Sequence, residues 1–165
     1  MTSEDYTVKR NPRSAARVAA VQGLYQMDMA QTDLNAVIAE FQDLRFRQAE
    51  PGDAIVGADP TFFAELLRGV VRRQRDIDPL VNQQLAAGWN LGRVDSILRA
   101  ILRSGVYELL ERPDVPARVV INEYIDIAHA FFSEDEPKVV NGVLDKIARR
   151  LRPGEFPDRP RGGAR

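Results

Sequence analysis

The apolar residues of this chain recur every three or four positions through most of its length, which is the period of an α-helix with one buried face. No segment shows the strict alternation of apolar and polar residues that is typical of a half-buried strand. The apolar stretches are short, and they are separated by Pro, Gly, Asn and Asp, the residues that begin and end helices. The pattern therefore predicts an all-α fold, a compact bundle of six to seven helices with short connections.

Several helix starts are marked by a capping residue followed by Pro. An Asn or Asp side chain accepts hydrogen bonds from the first free N–H groups, and Pro fits the first turn because it needs no partner there. This signature occurs at Asn11–Pro12, Asp59–Pro60 and Asp78–Pro79, and the last pair predicts a separate short helix. Thr32 and Asp33 predict the start of a further helix.

The stretch from Ser96 to Leu151 predicts three consecutive helices, of which the first has the broadest apolar face and is expected to be central. The third contains Asn141 and Gly142, both poor helix formers. The Gly suggests that another backbone approaches closely, and the Asn suggests a buried hydrogen bond. The acidic run 134–136 lies at the start of this helix, where carboxylates can cap free N–H groups and favour the helix dipole.

Composition divides the chain into three parts. Residues 1–10 are polar and predict a flexible N-terminal arm. Residues 11–152 carry the helical pattern and predict a single all-helical domain. Residues 153–165 are rich in Pro, Gly and Arg and predict a disordered basic tail. Trp89 lies at a predicted helix junction, and we expect it to fill the core.

The inventory of side chains favours a binding protein over an enzyme. The 165 residues include no Cys and one His, His129, so neither a thiol nucleophile nor a His-rich metal site is expected. No phosphate-binding Gly-rich loop and no spaced carboxylate signature occurs, and we expect no cofactor. No apolar run has the roughly 20 residues of a membrane span, and the N-terminus does not resemble a secretory signal. The cytoplasm is the expected compartment.

A local cluster of cations surrounds the first predicted helix start. The net charge of −1 shows no overall basic excess, so any binding to nucleic acid must use a local patch. Lys9, Arg10, Arg13 and Arg17 form such a patch. Cations oppose the dipole at a helix N-terminus, so helix stability does not explain them. Two interpretations remain open: a solvated basic face and an anion-binding surface.

Six short motifs distributed over nearly the whole chain resemble the NusB family of transcription antitermination factors. They are V-Q-G-L-Y-Q at 21–26, A-I-L-R at 100–103, Y-E-L-L at 107–110, D-V-P at 114–116, V-I-N-E at 120–123 and V-N-G-V-L-D-K at 140–146. The resemblance implies two three-helix halves and no catalytic activity. It also implies pairing with NusE, a ribosomal protein of the small subunit. The pair is expected to bind boxA RNA and to help the RNA polymerase elongation complex resist termination, notably on rRNA operons.

The resemblance also assigns roles to individual residues. Those implied at the RNA are Lys9, Arg10, Arg13, Arg17, Arg103, Phe131, Asp135 and Lys138. Tyr25 and Asp135 are implied at the NusE contact. Ser14, Ala15 and Ala16 stand where some members carry further arginines, so the basic segment is thinner here.

Two other functions are alternatives to antitermination. A similar helical module begins rRNA cytosine methyltransferases, but those enzymes need a catalytic domain with a reactive cysteine, which this chain lacks. The second is a non-catalytic scaffold that binds protein and not RNA. Some family members form a homodimer through the partner surface, and a homodimer is also possible here.

Overall fold

The computed structural model describes residues 11–86 and 90–157, and the regular structure within these ranges is helical. Six helices form the body of the described part. They are Pro12–Ala30 (α1), Leu34–Glu40 (α2), Pro60–Gln84 (α3), Ser96–Glu111 (α4), Ala117–Phe131 (α5) and Glu136–Leu151 (α6). α2 continues through a π-helical turn, Phe41–Arg45, into a final α-helical turn, Phe46–Gln48. The predicted all-α class is confirmed, whereas Trp89 lies outside the described residues.

The helices form two groups of three, α1–α3 and α4–α6, and α4 joins them. α4 packs against α1 and α3 on one side and against α5 and α6 on the other. Its side chains Leu98, Ile101 and Leu102 are almost wholly removed from solvent. Gly105 lets Leu144 of α6 lie close to the α4 backbone, because a Cβ at this position would be 2.8 Å from the Leu144 side chain. The predicted central place of this helix is confirmed.

Most of the predicted helix starts are formed as the sequence indicated. The Oδ1 atom of Asn11 accepts a hydrogen bond from the Ser14 N–H at 2.7 Å. Asp59 and Asp95 each accept from two N–H groups at the starts of α3 and α4. Asp33 caps α2 in the same way.

The predicted helix start at Asp78–Pro79 is wrong, because α3 runs through it from Pro60 to Gln84. An interior Pro costs roughly 3 kcal/mol, since it removes one backbone hydrogen bond and crowds the preceding turn. Ile77 and Val81, on either side of Pro79, are both fully buried. Burying two such side chains stabilises the continuous helix by about 1.5–3 kcal/mol each, which offsets the cost. The Asp78 carboxylate binds Arg103 instead of capping.

The start and the outer face of α6 also differ from the prediction. Asp135 stands at the N-cap position, but its backbone is helical and its side chain makes no capping hydrogen bond. Asn141 and Gly142 are exposed, and a Cβ on Gly142 would meet nothing within 4 Å. Packing along the apolar stripe Val140, Val143, Leu144 and Ile147 therefore holds α6 in place without a close backbone contact at Gly142.

Replacing Gly142 with Ala is expected to raise the free energy of unfolding by roughly 0.5–1 kcal/mol, because Ala loses less backbone entropy in a helix and meets no neighbour here. Urea denaturation of the two proteins measures the gain. Gly69→Ala is the matched control within α3, since a Cβ there would overlap the ring of Tyr107 and should destabilise. A loss of stability in Gly142→Ala would contradict the exposed position of this residue.

The ordered chain extends beyond the predicted domain end at residue 152. Pro153–Glu155 form a 3-10 helix, whereas a disordered tail was expected from residue 153. The Glu155 carboxylate accepts a hydrogen bond from the Ala117 N–H at 2.8 Å, and this bond, with Arg152 nearby, lowers the pKa of Glu155. This contact supplies a partner for a free N–H group at the start of α5. None of the helices in the ranges 11–86 and 90–157 is long and apolar enough to cross a membrane.

Candidate functional site

A buried polar network fixes the first helix against the central one. The Arg17 guanidinium donates to both oxygens of Glu108, at 2.7 Å from Nε and 2.9 Å from Nη2. The Tyr124 hydroxyl donates to the same carboxylate at 2.6 Å and lies 2.7 Å from the Ser104 hydroxyl. The network joins α1, α4 and α5.

Burial and charge act together on the titratable groups of this network. Burial works against the charged form of Arg17, but the hydrogen bond and charge of Glu108, together with Glu123, outweigh it and raise the Arg17 pKa. Burial, reinforced by the negative charge of Glu108, raises the pKa of Tyr124 well above its usual value. The phenol therefore stays protonated and available as a donor.

The placement of Arg17 contradicts its predicted role in RNA binding. Its side chain is 3% exposed and is engaged by Glu108 and, at 3.4 Å, by Glu123. A guanidinium enclosed in this way has no free surface to offer a phosphate group. Arg17 is therefore a structural residue, and the cation run at the start of α1 is divided between core and surface.

Arg103 is likewise withdrawn from the predicted RNA surface. It forms a two-pronged ion pair with Asp78 of α3, with both N–O distances at 2.9 Å, and is 17% exposed. A fork-to-fork pair of this kind is among the stronger ion pairs in proteins. Because Asp78 binds the Nε and Nη2 groups of Arg103 and the side chain is mostly buried, the structure favours a role in packing α4 on α3 over an RNA contact.

The predicted residues that remain exposed lie at the start of α1 and around the junction of α5 and α6. Arg13 is 44% exposed, lies over the Phe62 ring at 4.9 Å and approaches Asp114 at 3.8 Å. Asp135 and Lys138 are exposed on the first turns of α6. Lys9 and Arg10 lie outside the described residues.

Tyr25 and Phe131 share one groove, which we call the aromatic groove. It has a volume of about 450 Å³ and lies between α1, α5 and the start of α4. Tyr25 is 38% exposed and Phe131 40%, so each ring presents part of its surface to a binding partner. Its lining residues are Val21, Gln22, Tyr25, Gln26, Met29, Ala30, Arg45, Ile97 and Phe131. The structure therefore brings together one residue predicted for RNA and one predicted for the protein partner.

A second groove of about 480 Å³, which we call the polar groove, adjoins the first along Gln22 and Phe131. Asn11, Ser14, Glu123 and Asp126 supply acceptors and donors within a lining that also includes the apolar residues Val18, Ala54, Ile127, Ala130 and Phe131. The Ser14 hydroxyl donates to Glu123 at 3.0 Å, and Gln22 carries a buried Oε1 atom without a partner in the described part. Groups of this kind can pair with base edges or with a peptide backbone.

Of the residues that line the polar groove, the sequence predicted a binding role for Phe131 but not for Gln22, Glu123 or Asp126. Gln22 and Glu123 belong to the V-Q-G-L-Y-Q and V-I-N-E motifs, which were the available signal. Their neighbourhood depends on the contact between α1 and α5, which no local pattern reveals. In the described ranges, no group of three or more His, Cys, Asp or Glu side chains could hold a metal ion.

Comparison with known proteins assigns this architecture to a family. The model of the NusB family matches residues 14–149, which covers most of the chain and all but the outermost residues of the helices α1 to α6. The chain belongs to the NusB family. A transcription antitermination protein NusB from Rhodopseudomonas palustris is 51% identical over 148 residues, covering 90% of this chain and 85% of that protein.

Solved NusB structures have the same fold. The structure of T. maritima NusB superposes with a TM-score of 0.72 at 28% identity, over 89% of this chain and 98% of that one. A structure of the antitermination factors NusB and NusE in complex with dsRNA superposes with a TM-score of 0.64 at 25% identity, over 84% and 96% of the two chains. The predicted arrangement in two three-helix halves agrees with this architecture.

Proposed function

We propose that this protein is a non-catalytic transcription antitermination factor. Together with a NusE-type ribosomal protein it would bind boxA-type nascent RNA and promote readthrough by RNA polymerase, notably on rRNA operons. Membership of the NusB family and the name shared by its curated relatives support this proposal. Because bacterial transcription takes place in the cytoplasm, we assign the activity to that compartment.

The single observation that carries the proposal is the continuous surface formed by the two grooves. An exposed aromatic ring, Phe131, lies where an apolar, Tyr-containing groove meets a groove lined by amide and carboxylate groups. A solved relative of the same fold is in complex with NusE and dsRNA. A surface that combines an apolar aromatic groove with polar side chains suits a factor that contacts a partner protein and an RNA at the same time.

Each class of side chain has a distinct part in this proposal. Lys9, Arg10, Arg13 and Lys138 would contact phosphate groups, with an affinity that falls as salt rises. Phe131 would stack on a base, an interaction worth roughly 1–3 kcal/mol. Phosphate repels the Asp135 carboxylate, so this carboxylate would instead accept a hydrogen bond from a base edge or from the basic partner protein.

A second candidate function is a protein-binding scaffold without RNA binding. The ion pairs of Arg17 and Arg103 favour it, because they remove two of the predicted cations from the RNA surface. The aromatic groove could then hold a partner protein or a second copy of this chain. Light scattering with and without NusE determines whether a homodimer forms and whether NusE dissociates it.

Titration of fluorescent boxA RNA with the full chain tests the proposal, at two salt concentrations and with or without NusE. We expect weak binding by the chain alone, tighter binding with NusE, and an affinity that falls between about 50 and 200 mM salt. An RNA of scrambled sequence is the control. Association with NusE without any gain in RNA affinity would favour the scaffold and reject the antitermination proposal.

A further inference from the structure

The outer face of α3 carries three arginines that form no ion pair with any of the described residues. Arg68, Arg72 and Arg75, which we call the α3 arginine stripe, lie at positions i, i+4 and i+7 and are all exposed. Residues at this spacing share one side of a helix, and the stripe extends for about 10 Å along it. Among the residues that the structure describes, no carboxylate lies within 4 Å of their guanidinium groups.

The carboxylates nearest to the stripe in the chain already have partners. Glu65 accepts from Arg112 at 2.5 Å and from the Tyr107 hydroxyl at 3.0 Å. Asp76 pairs with Arg73, whose guanidinium also binds Glu111. Arg73 is therefore an arginine of α3 whose charge is neutralised by carboxylates and which links α3 to α4. Within the stripe, Arg72 also lies within hydrogen-bond reach of the Tyr107 hydroxyl. In the described ranges, however, no carboxylate neutralises any of the three arginines.

A line of charged and aromatic contacts connects the stripe to the start of α1. Arg13 and Arg112 both lie over the Phe62 ring, at 4.9 and 5.3 Å. Arg112 bonds Glu65, which precedes Arg68 by one turn of α3. From Phe62 to Arg75 the helix rises about 20 Å. Neighbouring contacts along α3 thus connect the cations at the start of α1 with those of the stripe.

We propose that the α3 arginine stripe binds the phosphate backbone of RNA that flanks the boxA-type element. This inference rests on the proposed function and extends its site from the α1 start along α3. Arginine suits the task because its guanidinium stays charged and donates in a fork that fits phosphate oxygens. The extension also supplies the positive charge that Arg17 and Arg103, held in internal ion pairs, do not provide.

The test compares two RNAs in the presence of NusE: the boxA-type element alone, and the same element with about ten flanking nucleotides on each side. The variant is Arg68→Gln, Arg72→Gln and Arg75→Gln combined. Three lost phosphate contacts should reduce the slope of log affinity against log salt by about 2 for the long RNA. At about 0.1 M salt this corresponds to roughly 10- to 100-fold weaker binding. The short RNA should bind within about twofold of the wild type, because it does not reach the stripe.

A matched variant separates position from net charge. Arg47→Gln, Arg93→Gln and Arg118→Gln combined remove the same charge from exposed arginines that also lack a carboxylate partner in the described ranges. This variant should keep most of the wild-type salt slope. The triple Lys variant of the stripe should also keep most of it, since charge is retained.

The outcomes distinguish the two proposals. Wild-type binding to the short RNA supports the proposed function independently of the stripe. Equal salt slopes for the stripe variant and the matched variant on the long RNA would overturn the stripe inference alone. A stripe variant that no longer binds NusE, but whose RNA affinity keeps the wild-type dependence on salt, would assign this face to protein contact. That result would also overturn the stripe inference. Failure of the wild type to bind either RNA would overturn both.

Discussion

Replacing Arg17 with Ala is expected to lower the free energy of unfolding by about 3–5 kcal/mol, a large part of the stability of a single domain. The substitution leaves the fully buried Glu108 carboxylate with the Tyr124 hydroxyl as its remaining donor partner. Solvation cannot replace the lost guanidinium, because the carboxylate has no contact with water. Urea denaturation followed by circular dichroism measures the change.

Arg13→Ala is the matched control for Arg17→Ala. It removes an arginine one turn earlier in the same helix, but Arg13 is 44% exposed and its ion pair with Asp114 is worth 1 kcal/mol at most. The combined variant Arg17→Leu and Glu108→Leu should lower the free energy of unfolding by much less than the sum of the two single changes, because no buried charge remains. An Arg17→Ala variant within 1 kcal/mol of the wild type would show that the network is not the link between α1 and α4.

Replacing Arg152 with Ala is expected to lower the free energy of unfolding by about 3 kcal/mol, since it removes four hydrogen bonds and leaves two carbonyls without a donor. The guanidinium donates to the carbonyl oxygens of Glu108, Leu109 and Arg112 at 2.9, 3.1 and 2.8 Å. It also donates to the Val115 carbonyl at 2.5 Å. The Glu108 and Arg112 carbonyls also accept from the backbone N–H groups of Arg112 and Val115. The Leu109 carbonyl, near the end of α4, has no such donor because residue 113 is Pro, so it and the Val115 carbonyl depend on the Arg152 side chain.

Thermal unfolding of Arg152→Ala beside Arg150→Ala measures this effect. Arg150 is exposed and bonds only Gln83 among the described residues, so its loss should be close to neutral. Arg152→Lys should recover little of the lost thermal stability, because an ammonium group cannot reach four carbonyl oxygens arranged around a planar guanidinium. Equal melting temperatures for the Ala variants would contradict the role assigned to Arg152.

Local signals in the sequence predicted the helices well where the determinant is itself local. The caps at Asn11, Asp33 and Asp59 involve residues two or three positions apart, so the pattern alone sufficed. Asp78–Pro79 carries the same signature, yet the burial of Ile77 and Val81 keeps α3 continuous. A sequence window cannot compare a local breaking signal with the packing of a whole helix face.

The candidate site was harder to predict, because the sequence does not show which charges are neutralised internally. Arg13 and Arg17 look alike in the chain and differ only in what lies across from them. The partner of Arg17 is 91 positions away, and that of Arg103 is 25 positions away. Family resemblance indicated the proposed surface through Tyr25 and Phe131, but the polar groove between α1 and α5 appears only once the helices are packed.

The most direct test of the account compares the RNA affinities of Arg13→Gln and Arg103→Gln in the presence of NusE. Each variant loses one arginine that the family resemblance assigned to RNA. Arg13, 44% exposed with a long contact to Asp114, is open to a phosphate, whereas Arg103 is 17% exposed and tightly paired with Asp78. At about 0.1 M salt we expect roughly fivefold weaker boxA binding for Arg13→Gln, as one phosphate contact is lost. Arg103→Gln, checked for folding, should bind as the wild type does. The reverse order, or equal losses, would contradict the surface proposed here.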